Sequence, residues 1–153
     1  MRRSLAFAAA LLASFCAQAL EVHVTQAWSR ATPPGADVGV GYLTLHNGSD
    51  KPARLVAVTS PRASAVELHE SNIANGLSQM RPVADLVVPA GGLVRFEPNG
   101  KHLMLVGLKS PLHAGEHVPV SFSFEGEQPL QVELVVRPLV ATPEPPPPEH
   151  AHH

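Results

Sequence analysis

The chain has one cysteine, three methionines, one tryptophan and one tyrosine among 153 residues. Each scarcity excludes something. Cys16 sits near the N-terminus, so the rest of the chain offers neither a disulfide nor a thiolate ligand. Stability must then come from an apolar core, and the length suits a single one. Charge is equally unspecialised, with eleven basic and thirteen acidic residues, no basic stripe and no basic amphipathic helix. Nucleic acid is therefore not an expected partner. No segment carries a sustained helical period, and there is no internal repeat. A hydrolase is also excluded: there is no G-x-S-x-G elbow, no H-E-x-x-H pair and no nucleophile beside an evident base.

What is present begins with an export signal. Arg2 and Arg3 precede an apolar run from Leu5 to Phe15, which is too short to span a bilayer comfortably. Ala17-Gln18-Ala19 reads as a small-x-small cleavage site, which makes residues 1–19 a signal peptide and Leu20 the mature N-terminus. Lipidation at Cys16 is the competing reading. Phe15 stands where a lipid-attachment motif keeps a small residue. Removal of the leader takes Arg2 and Arg3 away, leaving nine basic residues against thirteen acidic, and takes the only cysteine too. No stable membrane insertion is expected after cleavage.

Residues 20–140 read as one all-β domain, a sandwich or Greek-key barrel of antiparallel strands. Strands are expected from Val22 to near Trp28, and over Val38–His46, Arg54–Thr59, Val66–His69, Val83–Val88, Leu93–Phe96, Leu103–Leu108, Val118–Phe124 and Leu130–Val136. Turn signals separate them, notably Asn47-Gly48-Ser49-Asp50, Asn75-Gly76 and Pro98-Asn99-Gly100. Trp28 is expected in the core. Residues 141–153 differ in kind: five prolines between Pro143 and Pro148 favour an extended tether, which ends in His150, His152 and His153.

One frame concentrates the chemistry. His69 is followed after ten residues by Met80, then after twenty-one by His102, and after one more by Met104. Once the leader is gone, Met80 and Met104 are the only methionines. Two imidazoles and two thioethers form a nitrogen–sulfur set of the soft type that suits Cu(I). On a strand, residues two apart share a face, so His102 and Met104 project together while Leu103 and Leu105 turn to the core. Taken singly, a strand histidine is more often solvated and a methionine more often core filler. A blue-copper electron carrier is excluded because that class needs a thiolate.

The spacing His69-x10-Met80-x21-His102-x-Met104 resembles the signature of the periplasmic copper chaperones of the PCuAC family. Flanking segments share the resemblance: Ala27-Trp28-Ser29-Arg30-Ala31-Thr32-Pro33-Pro34-Gly35, Gly41-Tyr42-Leu43-Thr44-Leu45, Val66-Glu67-Leu68-His69-Glu70 and His102-Leu103-Met104-Leu105-Val106-Gly107-Leu108. It covers roughly Val22 to Val136. One departure stands out, since many relatives carry a further methionine where this chain has Ser78. The resemblance implies a cupredoxin-like barrel that binds one Cu(I) near its surface. It also implies delivery toward the CuA centre on cytochrome c oxidase subunit II, alongside Sco-type copper proteins.

Weaker candidates remain. His150, His152 and His153 form a possible auxiliary Cu(II) site on the tail, set against a tail of no consequence. Glu67 and Glu70 flank His69 and are candidates to orient it. His113 and His117 flank Gly115, whereas His23 and His46 lack companions in sequence. The alternative function is a non-catalytic secreted β-sandwich, a binding or adhesion module, which typically relies on exposed aromatics.

Overall fold

A computed structural model describes residues 20–139. The expected signal peptide and the tail with His150, His152 and His153 lie outside the described residues. Ten strands follow one another: β1 Val22–Arg30, β2 Val38–Asn47, β3 Ala53–Thr59, β4 Ala63–Ala74, β5 Leu77–Pro82, β6 Val87–Val88, β7 Leu93–Phe96, β8 Lys101–Leu108, β9 His117–Phe124 and β10 Leu130–Arg137. There is no helix among the described residues.

The strands pair in the order β5-β4-β8-β2-β1-β10-β9-β3-β6, and β7 joins from the side. β2 is the pivot. One edge pairs with β1, while the other is divided between β8, along Val38–Gly41, and β7, along Leu43–His46. All pairs are antiparallel except β1 with β10, which run parallel from Trp28–Val135 to Arg30–Arg137. The purely antiparallel expectation is corrected at that one seam.

Alternation builds the core. Val118, Val120, Phe122 and Phe124 of β9 face Val132, Leu134 and Val136 of β10, and all are buried. Leu43 and Leu45 of β2 join them, as do Leu103 and Leu105 of β8. At roughly 1.5–3 kcal/mol for each fully buried large apolar side chain, this shared interior supplies the main stabilising term.

Three expectations fail locally. β4 is far longer than Val66–His69, because it pairs with β8 up to Glu70 and then continues as one arm of a hairpin with β5. The expected strand Val83–Val88 shrinks to Val87–Val88, because the chain crosses there from one sheet edge to the other. The Val83 N–H bonds Leu68 O of β4, and Leu86 O accepts from the Leu55 N–H of β3. Asp85 adopts a φ of 53° in between, outside the β region.

Trp28 is the third. Val22 and Val24 pack on the core, and unbroken alternation would send Trp28 inward too. Gln26 takes a φ of 54°, and the β1–β2 register shifts between Thr25 and Trp28. This bulge moves the alternation by one residue, as bulges do. Ser29 becomes the buried residue, and Trp28 turns to the outer face against Tyr42, with ring centroids 4.6 Å apart.

Gly41 marks the closest approach of β2 to its neighbours. A Cβ there would sit 2.8 Å from Leu134 Cδ1. Gly41→Ala should cost about 1–3 kcal/mol through overpacking. Urea denaturation checks this, and an unchanged midpoint would show that the interior yields freely.

Candidate metal centre

Strands β5, β4 and β8 lie side by side, and their register fixes which side chains share a face. His69 of β4 stands opposite His102 of β8 and opposite Pro82 of β5. Glu67 stands opposite Met104, and Ser71 stands opposite Met80. Directly opposed residues project to the same side, as do residues two apart along a strand. His69, His102, Met104 and Met80 therefore occupy one face, together with Glu67 and Ser71. The alternate residues Leu68, Leu103 and Leu105 pack into the core on the other side.

The local folding has readable causes. β4 and β5 are joined by the two residues Asn75 and Gly76, with φ of 54° and 75°. Two positive φ values match the type I′ turn that suits the twist of a hairpin. It returns the chain so that Met80 meets Ser71 rather than His69, two residues farther out than the simplest reading places it. Such diagonal neighbours are about 7–8 Å apart, within reach of a long thioether side chain. The turn Pro98-Asn99-Gly100 leads into β8, and Asn99 adopts a φ of 66°.

Gly100 then does something that the sequence does not announce. Its carbonyl accepts from the Ser71 N–H at 3.0 Å and lies 3.1 Å from His102 Nδ1. A carbonyl only accepts, so Nδ1 carries the proton and Nε2 keeps its lone pair. His69 is held the other way. Its Nε2 lies 2.9 Å from Glu67 Oε2, so Nε2 donates and Nδ1 keeps the lone pair. Each imidazole thus has one nitrogen anchored and one free to act as a ligand, the arrangement that orients metal-binding histidines. The ring centroids are 6.1 Å apart.

The four side chains differ in access. His102 is buried, with 5% exposure, while Met104 and His69 are half-buried. Met80 is 54% exposed on the outer strand β5. Among the described residues, no group of three or more His, Cys, Asp or Glu is placed to hold a metal ion, so nitrogen–oxygen chelation by such a cluster has no counterpart here.

Other candidates separate. Glu70 turns to the opposite side of β4 and pairs with Lys101 Nζ at 2.8 Å, so only Glu67 reaches His69. His113 and His117 do not approach each other as a pair: His113 bonds Glu116, and His117 lies 3.4 Å from Glu133. Trp28 carries Arg137 over its ring at 4.5 Å. His23 and His46, left without companions in sequence, turn out to be cross-strand partners. The β1–β2 register brings them together, and a bulge and a seven-residue loop hide that register from local pattern.

Residues 22–136 match the family described as "Putative lipoprotein LpqE-like". The chain belongs to the LpqE-like family. Among its relatives, "Putative lipoprotein Lxx21020" of Leifsonia xyli subsp. xyli is 34% identical over 121 residues, 78% of this chain and 72% of that one. "Uncharacterized protein RP573" of Rickettsia prowazekii is 30% identical over 108 residues, and the match spans 60% of its length. Of the solved structures, the Cu(I) form of DR1885 from Deinococcus radiodurans is 36% identical, with a TM-score of 0.62, over 79% of this chain and 81% of that one. The copper-bound PCuAC domain of PmoF2 superposes with a TM-score of 0.65 at 21% identity, over 76% of this LpqE-like chain and 92% of the domain. The expected cupredoxin-like fold and the resemblance to the PCuAC family both hold.

The opposite anchoring of the two imidazoles is testable without metal. Long-range nitrogen–proton NMR of the apo-protein should show the neutral form of His102 as the Nδ1–H tautomer and that of His69 as the Nε2–H tautomer. The same tautomer at both residues would contradict the anchoring by Gly100 and Glu67.

Proposed function

We propose that this protein is a copper carrier of the periplasm, not an enzyme, and that it holds one Cu(I) through His69, Met80, His102 and Met104. The observation that carries the reading is the shared face: register alone gathers two imidazoles and two thioethers on three adjacent strands. Likeness to a protein solved in a Cu(I) form supports it. Thioethers cannot be oxidised to disulfides, so such a site endures where thiolates would be at risk. They are also neutral and bind without losing a proton, which leaves pH dependence to the histidines. Exposed Met80 on the outer strand gives a route for the ion to be taken up and handed on.

By the same reading the acceptor is a cuproprotein, with the CuA centre on cytochrome c oxidase subunit II as the target and Sco-type proteins as companions. Export precedes this, with cleavage after Ala19 rather than lipidation at Cys16, because Phe15 is too large for a lipid-attachment motif. Intact mass of the exported protein should give Leu20 as the first residue; a diacylated Cys16 would overturn this.

The ligand assignment is tested by anaerobic Cu(I) titration against a competing chelator. Wild type should bind one equivalent. Met104→Leu keeps size and apolarity, so stability should change by less than about 1.5 kcal/mol. Affinity should fall by at least the roughly 10–100-fold that even loss of an outer partner costs. Equal affinity in that variant would remove Met104 from the site. The apo-protein should already be folded, since the driving force is burial of Leu, Val and Phe in the core, which draws on none of the four motif side chains. Copper should then stabilise by mass action alone, about 4 kcal/mol at a thousandfold excess over Kd. An apo-form without dispersed NMR signals would make the metal structural instead.

A further inference from the structure

We infer that His23 and His46 form a second metal site, which takes a divalent cation such as Cu(II) or Zn(II) through nitrogen rather than sulfur. The two residues stand directly opposite each other on β1 and β2. Their rings are stacked, with centroids 4.8 Å apart and planes 4° from parallel. His23 is exposed and His46 half-buried, so solvent reaches both. Among the described residues, His69, His113 and His117 each have a carboxylate partner, and His102 has a carbonyl. Neither ring of the stacked pair has either.

The pair also has an orienting partner. His46 Nε2 lies 2.9 Å from Thr25 Oγ1, whose hydroxyl comes from the same face of β1 as His23. With Nε2–H donating to that oxygen, Nδ1 of His46 keeps its lone pair, which is how a bound histidine is commonly held. A Zn(II) ion needs each nitrogen at about 2.0–2.1 Å, hence the two nitrogens within roughly 4 Å of each other. Rings already stacked at 4.8 Å reach this by turning about their side-chain torsions, with no movement of the strands. The next rung adds charge. Gly48 N–H bonds Glu21 O, and Glu21 Oε2 lies 3.3 Å from the point where a side chain at Gly48 would begin. That carboxylate forms no three-residue metal cluster with the imidazoles, so the proposed protein donors are the two rings alone.

This donor set is distinct from the thioether face. Imidazole suits borderline divalent ions, whereas thioethers select Cu(I). The place is distinct too, since His46 lies at the far end of β2 from Val38–Gly41, the stretch that pairs with β8. The inference does not depend on the Cu(I) reading, and either can fail alone.

The test uses the mature full-length chain with His150, His152 and His153 changed to Ala, so that the tail contributes no imidazole. Zn(II) alone, then Cu(II) alone, is titrated while the side-chain imidazole resonances are followed by NMR. Zn(II) should shift His23 and His46 together with one midpoint, and substoichiometric Cu(II) should broaden both. His46→Gln and His23→Gln, each made separately, should weaken binding about tenfold or more, because the strand pairing makes the second imidazole's encounter intramolecular. Both variants should keep the backbone spectrum of the parent, and His69→Ala should leave this binding unchanged. Independent midpoints for the two rings, or unchanged affinity in both Gln variants, would reduce the pair to stacking and overturn the site.

Discussion

The face that carries His69, His102, Met104 and Met80 is held in place by the dry side of the same strands. Between the rungs that carry His69 with His102 and Glu67 with Met104 lies the rung Leu68–Leu103, followed by Val66–Leu105. Leu103 and Leu105 are fully buried. A slip of one residue between β4 and β8 would turn both leucines outward and bring His102 and Met104 into the core. Each leucine contributes roughly 1.5–3 kcal/mol by burial, so the correct register is strongly preferred. The relative placement of imidazoles and thioethers is thus a by-product of hydrophobic packing. Copper does not need to be present for it to be set.

Rigid and adaptable members of this face are divided between the strands in a way that follows from the same packing. His102 is buried and tied to Gly100 O, the atom that also accepts from the Ser71 N–H. One carbonyl therefore joins the β8 turn to β4 and fixes a tautomer in a single step. Met80 sits on the arm where β4 and β5 outrun β8, since the β4–β8 pairing ends at Glu70–Lys101. Beyond that point both faces of the hairpin meet solvent, and Ile73 and Leu77 at its tip are among the most exposed apolar residues. A two-stranded ribbon of this kind is intrinsically the least stable part of a sheet. Under the carrier reading, fixed imidazoles and a thioether on a yielding arm combine selectivity with release.

The family match spans residues 22–136, so it encloses all four motif residues and the His23–His46 pair, but neither the leader nor the proline-rich tail. Similarity to proteins solved with copper is therefore a statement about the β domain alone. What precedes and follows the barrel rests on this chain's own residues: the small-x-small Ala17-Gln18-Ala19, and a tail whose imidazoles lack sulfur neighbours.

Local pattern was enough for much of this. The period-2 alternation of Val120, Phe122 and Phe124 identified a core strand, Asn75-Gly76 identified a hairpin turn between β4 and β5, and the two-residue spacing of His102 and Met104 identified a shared face. Each depends on residues within a few positions of one another. Tertiary structure decided the rest, because register is a relation between distant residues. Only pairing placed His69 opposite His102, set Met80 beside Ser71, and separated Glu67 from Glu70 in role. Only pairing joined His23 to His46 across a loop. A single positive φ at Gln26 moved Trp28 from the expected core to the outer face, and no local propensity signals such a bulge. The crossing at Val83–Leu86 likewise reads as a strand in sequence, and is diverted because its backbone groups find partners on both β4 and β3. Alternation is written along the chain, whereas register and bulges are fixed only when burial of the whole interior is satisfied at once.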